Sequence, residues 1–135
     1  MCIRDRLCDI YKEADRDVVF ALVWFHDFGK PIDDKNERTI TQEKGIGIMK
    51  EIGFTQDFID KVFNCWVRME MKNEIDISRE SIDVQIVSSA DGASHFVGKF
   101  YSTYFMDEKK ESIEMTEKRI INLSLIHISE PTRPY

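Results

Sequence analysis

A histidine and an aspartate stand side by side at His26-Asp27, within Val23-Trp24-Phe25-His26-Asp27-Phe28-Gly29-Lys30-Pro31. An imidazole nitrogen and a carboxylate are both metal donors, and together they suit Mn, Fe, Zn or Ni better than a soft, thiolate-preferring ion. Consecutive side chains on a helix point about 100° apart, so these two converge on one ion only if it sits beyond the helix terminus. Residues 16–28 supply such a terminus. Val18, Val19, Phe20, Ala21, Leu22, Val23, Trp24 and Phe25 are apolar on nearly every face, which predicts a buried helix, and Gly29 and Pro31 end it. The plainer alternative for a bare His-Asp pair is a core histidine beside a capping aspartate.

A second segment bears on that choice. Ser88-Ser89-Ala90-Asp91-Gly92-Ala93-Ser94-His95-Phe96 follows the apolar residues Ile82, Val84, Ile86 and Val87. Read as a helix, it carries Asp91 into small-residue surroundings, where a buried carboxylate is costly unless a cation or hydrogen-bond donors meet it. His95 lies one helical turn after Asp91, on the same face. It is placed either to donate a proton to a leaving oxygen or to pack beside Phe96.

With these two segments in this order, the chain resembles the HD-domain metal-dependent phosphohydrolases, whose pattern is a His, then His-Asp, then a distant Asp. His26-Asp27-Phe28-Gly29-Lys30 looks like the HD motif with its Gly-Lys tail, and Asp91 looks like the final Asp. The resemblance implies an all-α, HD-domain-like helical bundle. It also implies one divalent cation (Mn, Fe, Zn, Ni or Mg) held by an upstream histidine, His26, Asp27 and Asp91. Water would then attack a phosphate monoester or nucleotide, with Asp27 as a base, Lys30 contacting the phosphate and His95 handling a proton. The alternatives are a solvated loop lysine at Lys30 and a packing role for His95.

Two departures from the family pattern matter. The first family histidine would fall just before Leu7, so the chain reads as N-terminally truncated, with a weakened site. Many members also carry histidines at the start of the third helix and the end of the fourth. The matching stretches here, Thr41-Gln42-Glu43-Lys44-Gly45 and Val67-Arg68-Met69-Glu70, contain none. That favours one metal and argues against the cyclic-dinucleotide phosphodiesterase and di-iron oxygenase branches. Glu43 and Glu70 are substitute or outer ligands, or solvated helix residues; Arg68 is a weaker phosphate-binding candidate. The other functional reading is a catalytically degenerate HD domain serving as a helical regulatory or ligand-binding module.

The two ends read as foreign. Residues 123–133 back-translate, codon by codon, to a transposase adaptor used in sequencing libraries, and Met1 to Arg6 back-translate to the reverse complement of that adaptor's shared end. Residues 1–6 and 123–135 are therefore expected to be adaptor-derived, and residues 7–122 to be one partial HD-like domain. Removing Arg4, Arg6 and Arg133 from 19 basic residues and Asp5 and Glu130 from 25 acidic ones leaves 16 against 23, a net charge of about −7. Such a balance argues against nonspecific nucleic-acid binding or an anionic-membrane surface, while a phosphorylated small molecule remains compatible with a bound cation and local lysines. Without His127, the histidines left are His26 and His95, one in each motif segment.

Cys8 and Cys65 have no Cys-x-x-Cys spacing, which favours a reducing, cytoplasmic compartment. No apolar run reaches the roughly 20 residues of a membrane span. Helical patterning extends through the chain. Asp15 caps the second helix, and Thr39 or Thr41 starts a third that carries Ile46, Ile48, Met49 and Ile52 and ends at Gly53. Thr55 opens an amphipathic helix with Phe58, Ile59, Val62, Phe63, Trp66 and Val67 on one face. Ser78 or Ser81 opens the Asp91 helix, and a last charged helix is expected from about Asp107 to Asn122, packing through Ile113, Met115, Ile120 and Ile121. Trp24, Phe25, Phe58, Phe63 and Trp66 are expected in the core.

Overall fold

A computed structural model describes residues 3–97 and 99–127 of the 135-residue chain. The regular structure there is entirely helical: α1 (Ile3–Ile10), α2 (Arg16–Phe25), α3 (Glu37–Ile40), α4 (Ile46–Ile52), α5 (Gln56–Glu70), α6 (Ile82–Ser94), α7 (Phe100–Thr103) and α8 (Ile113–His127). A π turn, Thr41–Gly45, joins α3 to α4, and another, Tyr104–Glu108, follows α7.

α2 is the centre of the bundle. Val18, Val19, Leu22 and Phe25 form its inward face and meet Ile59, Val62, Trp66 and Met69 of α5 and Val84, Ile86 and Val87 of α6. The Phe25 and Trp66 rings meet edge to face, with centroids 5.6 Å apart, a geometry that adds to the apolar burial. Its first turn is fixed by a polar cluster. The Asp15 carboxylate accepts the N–H groups of Asp17 and Val18, each at 3.2 Å, satisfying donors that a helix start leaves unpaired. The Asp15 N–H donates to the buried Asp83 carboxylate at 2.8 Å, and Lys61 lies 2.8 Å from Asp15 Oδ2 and 3.9 Å from Asp83 Oδ2. One end of α2 is thereby tied to both α5 and α6.

The sequence reading of α2 is corrected in two respects. The helix stops at Phe25, and it is not buried on every face: Phe20 is 54 % and Trp24 70 % exposed. With Ile48, Ile52 and Phe54 they border an apolar groove of about 690 Å³ between α2 and α4. A run of apolar residues shows that a helix has hydrophobic faces; it does not show how many neighbours the fold supplies to cover them.

Other local signals were legible. Thr55 caps α5 and Ser81 caps α6, each side chain accepting a first-turn N–H. Gly53 ends α4 in the left-handed region at φ 96°, and the Phe54 N–H reaches back to the Met49 carbonyl at 3.1 Å. Across the π turn the backbone stays right-handed, so α3 and α4 form one rod. Its inward residues are Thr41, Gly45 and Met49; Ile48 and Ile52 are exposed. The last helix begins only at Ile113, because the chain turns through Lys110 at φ 57°. Thr116 and Ser124 are buried in it, whereas Ile113, Met115 and Ile121 are exposed. Cys8 and Cys65 are buried free thiols, and no described helix is long and apolar enough to cross a membrane.

Replacing Asp15 by Ala should destabilise the protein by about 1 kcal/mol at neutral pH, the usual worth of such a cap, measured by urea unfolding. The Lys61 ammonium holds the Asp15 carboxyl below its ordinary value of 3.8 against a smaller opposing effect of burial. A lowered folded pKa stabilises above the ordinary value, and that stability is lost as pH falls through the folded one. The gap between wild type and Asp15→Ala should therefore narrow on acidification below the ordinary value.

Candidate functional site

The C-terminal turn of α2 puts His26 at the end of a helix whose inward face is fixed by the core. The His26 N–H donates to the Leu22 carbonyl at 2.9 Å, and the chain leaves the helix in successive tight turns through Lys30. The His26 ring is oriented by the backbone: Nδ1 lies 2.7 Å from the Val23 carbonyl oxygen. A carbonyl only accepts, so Nδ1 carries the proton and donates. In the neutral ring Nε2 then holds a lone pair.

That lone pair faces two carboxylates. Nε2 is 3.5 Å from Asp27 Oδ2 and 3.9 Å from Asp91 Oδ1. Asp91 arrives on α6, flanked by the buried Gly92. Burial disfavours the imidazolium, yet the adjacent Asp91 and Asp27 carboxylates and the Val23 carbonyl outweigh it and raise the His26 pKa above its ordinary 6.5. The imidazole nitrogen and the two carboxylates thus call for a shared positive charge, either a proton or a cation. As donors they fit a hard or borderline divalent ion. As they stand, no three His, Cys, Asp or Glu side chains among the described residues are disposed to hold a metal ion. Asp27 is already engaged, its Oδ1 accepting from Lys30 Nζ at 2.7 Å.

His95 closes the other side. Its Nε2 is 3.9 Å from Asp91 Oδ1, and its ring lies 4.3 Å, centroid to centroid, from that of Tyr101. Burial pushes its pKa below 6.5; Lys72 and Lys30 add to that, while Asp91 opposes. The two histidines therefore titrate in opposite directions beside one carboxylate. His95 Nδ1 also lies 3.4 Å from Ser124 Oγ, but Ser124 belongs to the segment expected to be adaptor, so no functional weight rests on it.

All five predicted site residues, His26, Asp27, Lys30, Asp91 and His95, thus lie in one connected cluster. Three weaker candidates do not join it. The Arg68 guanidinium is committed to Glu80 at 2.8 and 2.5 Å, so it braces the end of α5 against the turn before α6. Glu43 and Glu70 are exposed. Glu37, which the sequence did not single out, is also present, and so is Tyr101, one of the aromatics Phe96, Phe100, Tyr101, Tyr104 and Phe105 that the sequence offers as either a pocket wall or a cover for the core. Glu37 Oε1 is 3.9 Å from Lys30 Nζ, and burial raises its pKa. Tyr101 covers His95 from a separate element. An acid in the first turn of a helix reads as an ordinary helix-dipole residue, so Glu37 carries no distinguishing signal in sequence.

Gly29 has a steric role different from the expected one. It lacks the left-handed backbone of a helix stop; instead its N–H donates to the buried Thr41 hydroxyl at 3.0 Å, and a Cβ there would collide with the Glu37 backbone carbonyl. The turn after Asp27 is thereby pressed against the start of α3. No protein-family model, curated protein or solved structure matches the chain.

Gly29→Ala should destabilise the protein by about 1–3 kcal/mol through overpacking, read by chemical denaturation; wild-type stability would refute the close approach. In metal-free protein, NMR titration should place His26 above and His95 below the ordinary histidine value. Because the folded His26 pKa is raised, its contribution to stability is full below the ordinary value and is lost as pH rises through the folded one. A reversed order of the two titrations would overturn this electrostatic account.

Proposed function

We propose that this domain belongs to a metal-dependent phosphohydrolase that cleaves a phosphate monoester or nucleotide using one divalent cation. The observation that supports this reading is the convergence of His26 and Asp27 from the end of α2 with Asp91 from α6, an imidazole lone pair facing two carboxylates. When bound there, a divalent cation would lower the pKa of water and draw charge from a phosphoryl oxygen.

The chain's own groups have separable tasks. The Val23 carbonyl holds the His26 tautomer that leaves Nε2 available as a donor. Asp27 and Asp91 supply the compensating negative charge, and Asp27, at the exposed edge of the cluster, is placed to take a proton from water. Lys30, half exposed beside Asp27, is within reach of a substrate phosphate as a point charge. His95, buried and favoured as the neutral ring, can exchange a proton with the leaving oxygen. A phosphorylated small molecule is thus the partner these groups suit.

The second reading, a catalytically degenerate HD domain that binds a ligand or regulates a partner, draws on one observation: the described donors do not form a closed three-ligand set as they stand. Calorimetric titration with Mn²⁺, followed by a panel of phosphate esters, separates the two. Wild type should bind Mn²⁺, Asp91→Asn should weaken that binding by more than about tenfold, and hydrolysis should fall with it. Binding indifferent to both Asp91→Asn and His26→Ala would remove the site altogether. Site-dependent binding without hydrolysis of any ester would favour the degenerate domain.

A further inference from the structure

No described element covers the groove between α2 and α4. Phe20, Trp24, Ile48, Ile52 and Phe54 border it, and each is between 40 and 70 % exposed. At about 150–250 Å² for a whole aromatic side chain, the exposed parts of these five residues amount to roughly 500 Å². That is at the upper end of the apolar patches monomers carry, and more than half of the about 800 Å² that each partner gives to a stable protein interface. The groove is also built in advance of any partner. The buried Phe25 and Met49 side chains form its floor, and the Phe54 and Phe58 rings stack at 5.0 Å to wall one end.

Its charges are arranged end to end. α2 and α4 run in opposite directions along the groove: Gly45, just before α4, meets the Phe25 ring at the end of α2, while Gly53 leads through Thr55 into α5, whose Lys61 is 2.8 Å from Asp15 at the start of α2. The exposed Asp17, in the first turn of α2, therefore stands at one end of the groove, and the exposed Lys44, one turn before Ile48, at the other. Lys50 and Glu51, also exposed on α4, are of opposite sign and add no net charge. We infer that this groove is the contact surface of a two-fold dimer of this chain. A two-fold axis through the middle of the groove, perpendicular to the line from Asp17 to Lys44, sets apolar strip against apolar strip and brings each of these charges onto the other in the second copy, as an isologous interface requires. The apolar strip supplies the affinity and the exposed charge pairs supply the orientation. The dimer is independent of the chemistry assigned to His26, Asp27 and Asp91, which lie outside the groove.

Sedimentation velocity of the full chain should show a reversible monomer–dimer equilibrium between low-micromolar and submillimolar concentration. Trp24→Ser and Ile52→Ser should each weaken the dimer by more than about tenfold, with helicity and the emission of the buried Trp66 unchanged, since both substituted side chains are mostly exposed in the single copy. Asp17→Lys should weaken it about fivefold, because the axis repeats the exposed pair twice, and adding Lys44→Glu should restore it. A monomer at every concentration would overturn the inference; a blue shift of its Trp24 emission on titration with a long-chain alcohol would then assign the groove to a small apolar ligand instead. A dimer indifferent to Trp24→Ser and Ile52→Ser would place the contact on another face and overturn it equally. Loss of the dimer in Asp17→Lys without rescue by Lys44→Glu would overturn the two-fold arrangement.

Discussion

An imidazole lone pair and two carboxylates cannot share a half-buried corner without a positive charge among them. This constraint organises the region where α2, α3 and α6 meet. The Val23 carbonyl fixes the His26 tautomer, the packing of α2 on α6 fixes the distance to Asp91, and the turn through Gly29 fixes Asp27. With all three set, protein relaxation has little room to relieve the repulsion. A proton on His26 and the Lys30 ammonium are the positive charges that the chain itself supplies there.

The polar cluster at the other end of α2 obeys a different logic. Asp83 is buried and its pKa is raised, chiefly by desolvation, yet it is met by a backbone N–H and by Lys61. Its role is complete within the protein, because every strong demand it makes has a partner at hand. The two ends of one helix thus carry acidic clusters of similar composition. They differ in geometry: Asp83 meets a backbone N–H and Lys61, whereas Asp27 and Asp91 share the His26 ring and Asp27 is paired with Lys30.

This distinction explains what was readable in the sequence. Helix starts at Asp15, Thr55 and Ser81 and the stop at Gly53 were legible because capping is decided within a few residues. Within each segment the neighbours were legible from spacing, Asp27 beside His26 and His95 one turn after Asp91; no local spacing relates α2 to α6, and only the family resemblance led to the expectation that the two segments meet. Glu37 was not legible, because its approach to Lys30 depends on how the turn after α2 folds back on α3 and not on helical spacing; Tyr101 was legible only as one of the aromatics Phe96, Phe100, Tyr101, Tyr104 and Phe105, which left open whether it lines a pocket or covers the core. Trp24 was expected in the core; its hydrophobicity is local, but its 70 % exposure depends on no element among the described residues lying over that face.

The π turn between α3 and α4 has a consequence for how this protein can change over time. Glu37, Thr41, Gly45 and Met49 recur every four residues, a spacing that drifts by about 40° per step around an ordinary α-helix. The wider turn at Thr41–Gly45 offsets that drift and keeps all four in line, so that one edge serves Lys30, the Gly29 N–H, the Phe25 ring and the core in turn. Deleting a single residue there would rotate Met49 by about 100° relative to Glu37. Substitutions along this rod are individually negotiable, whereas its length is not.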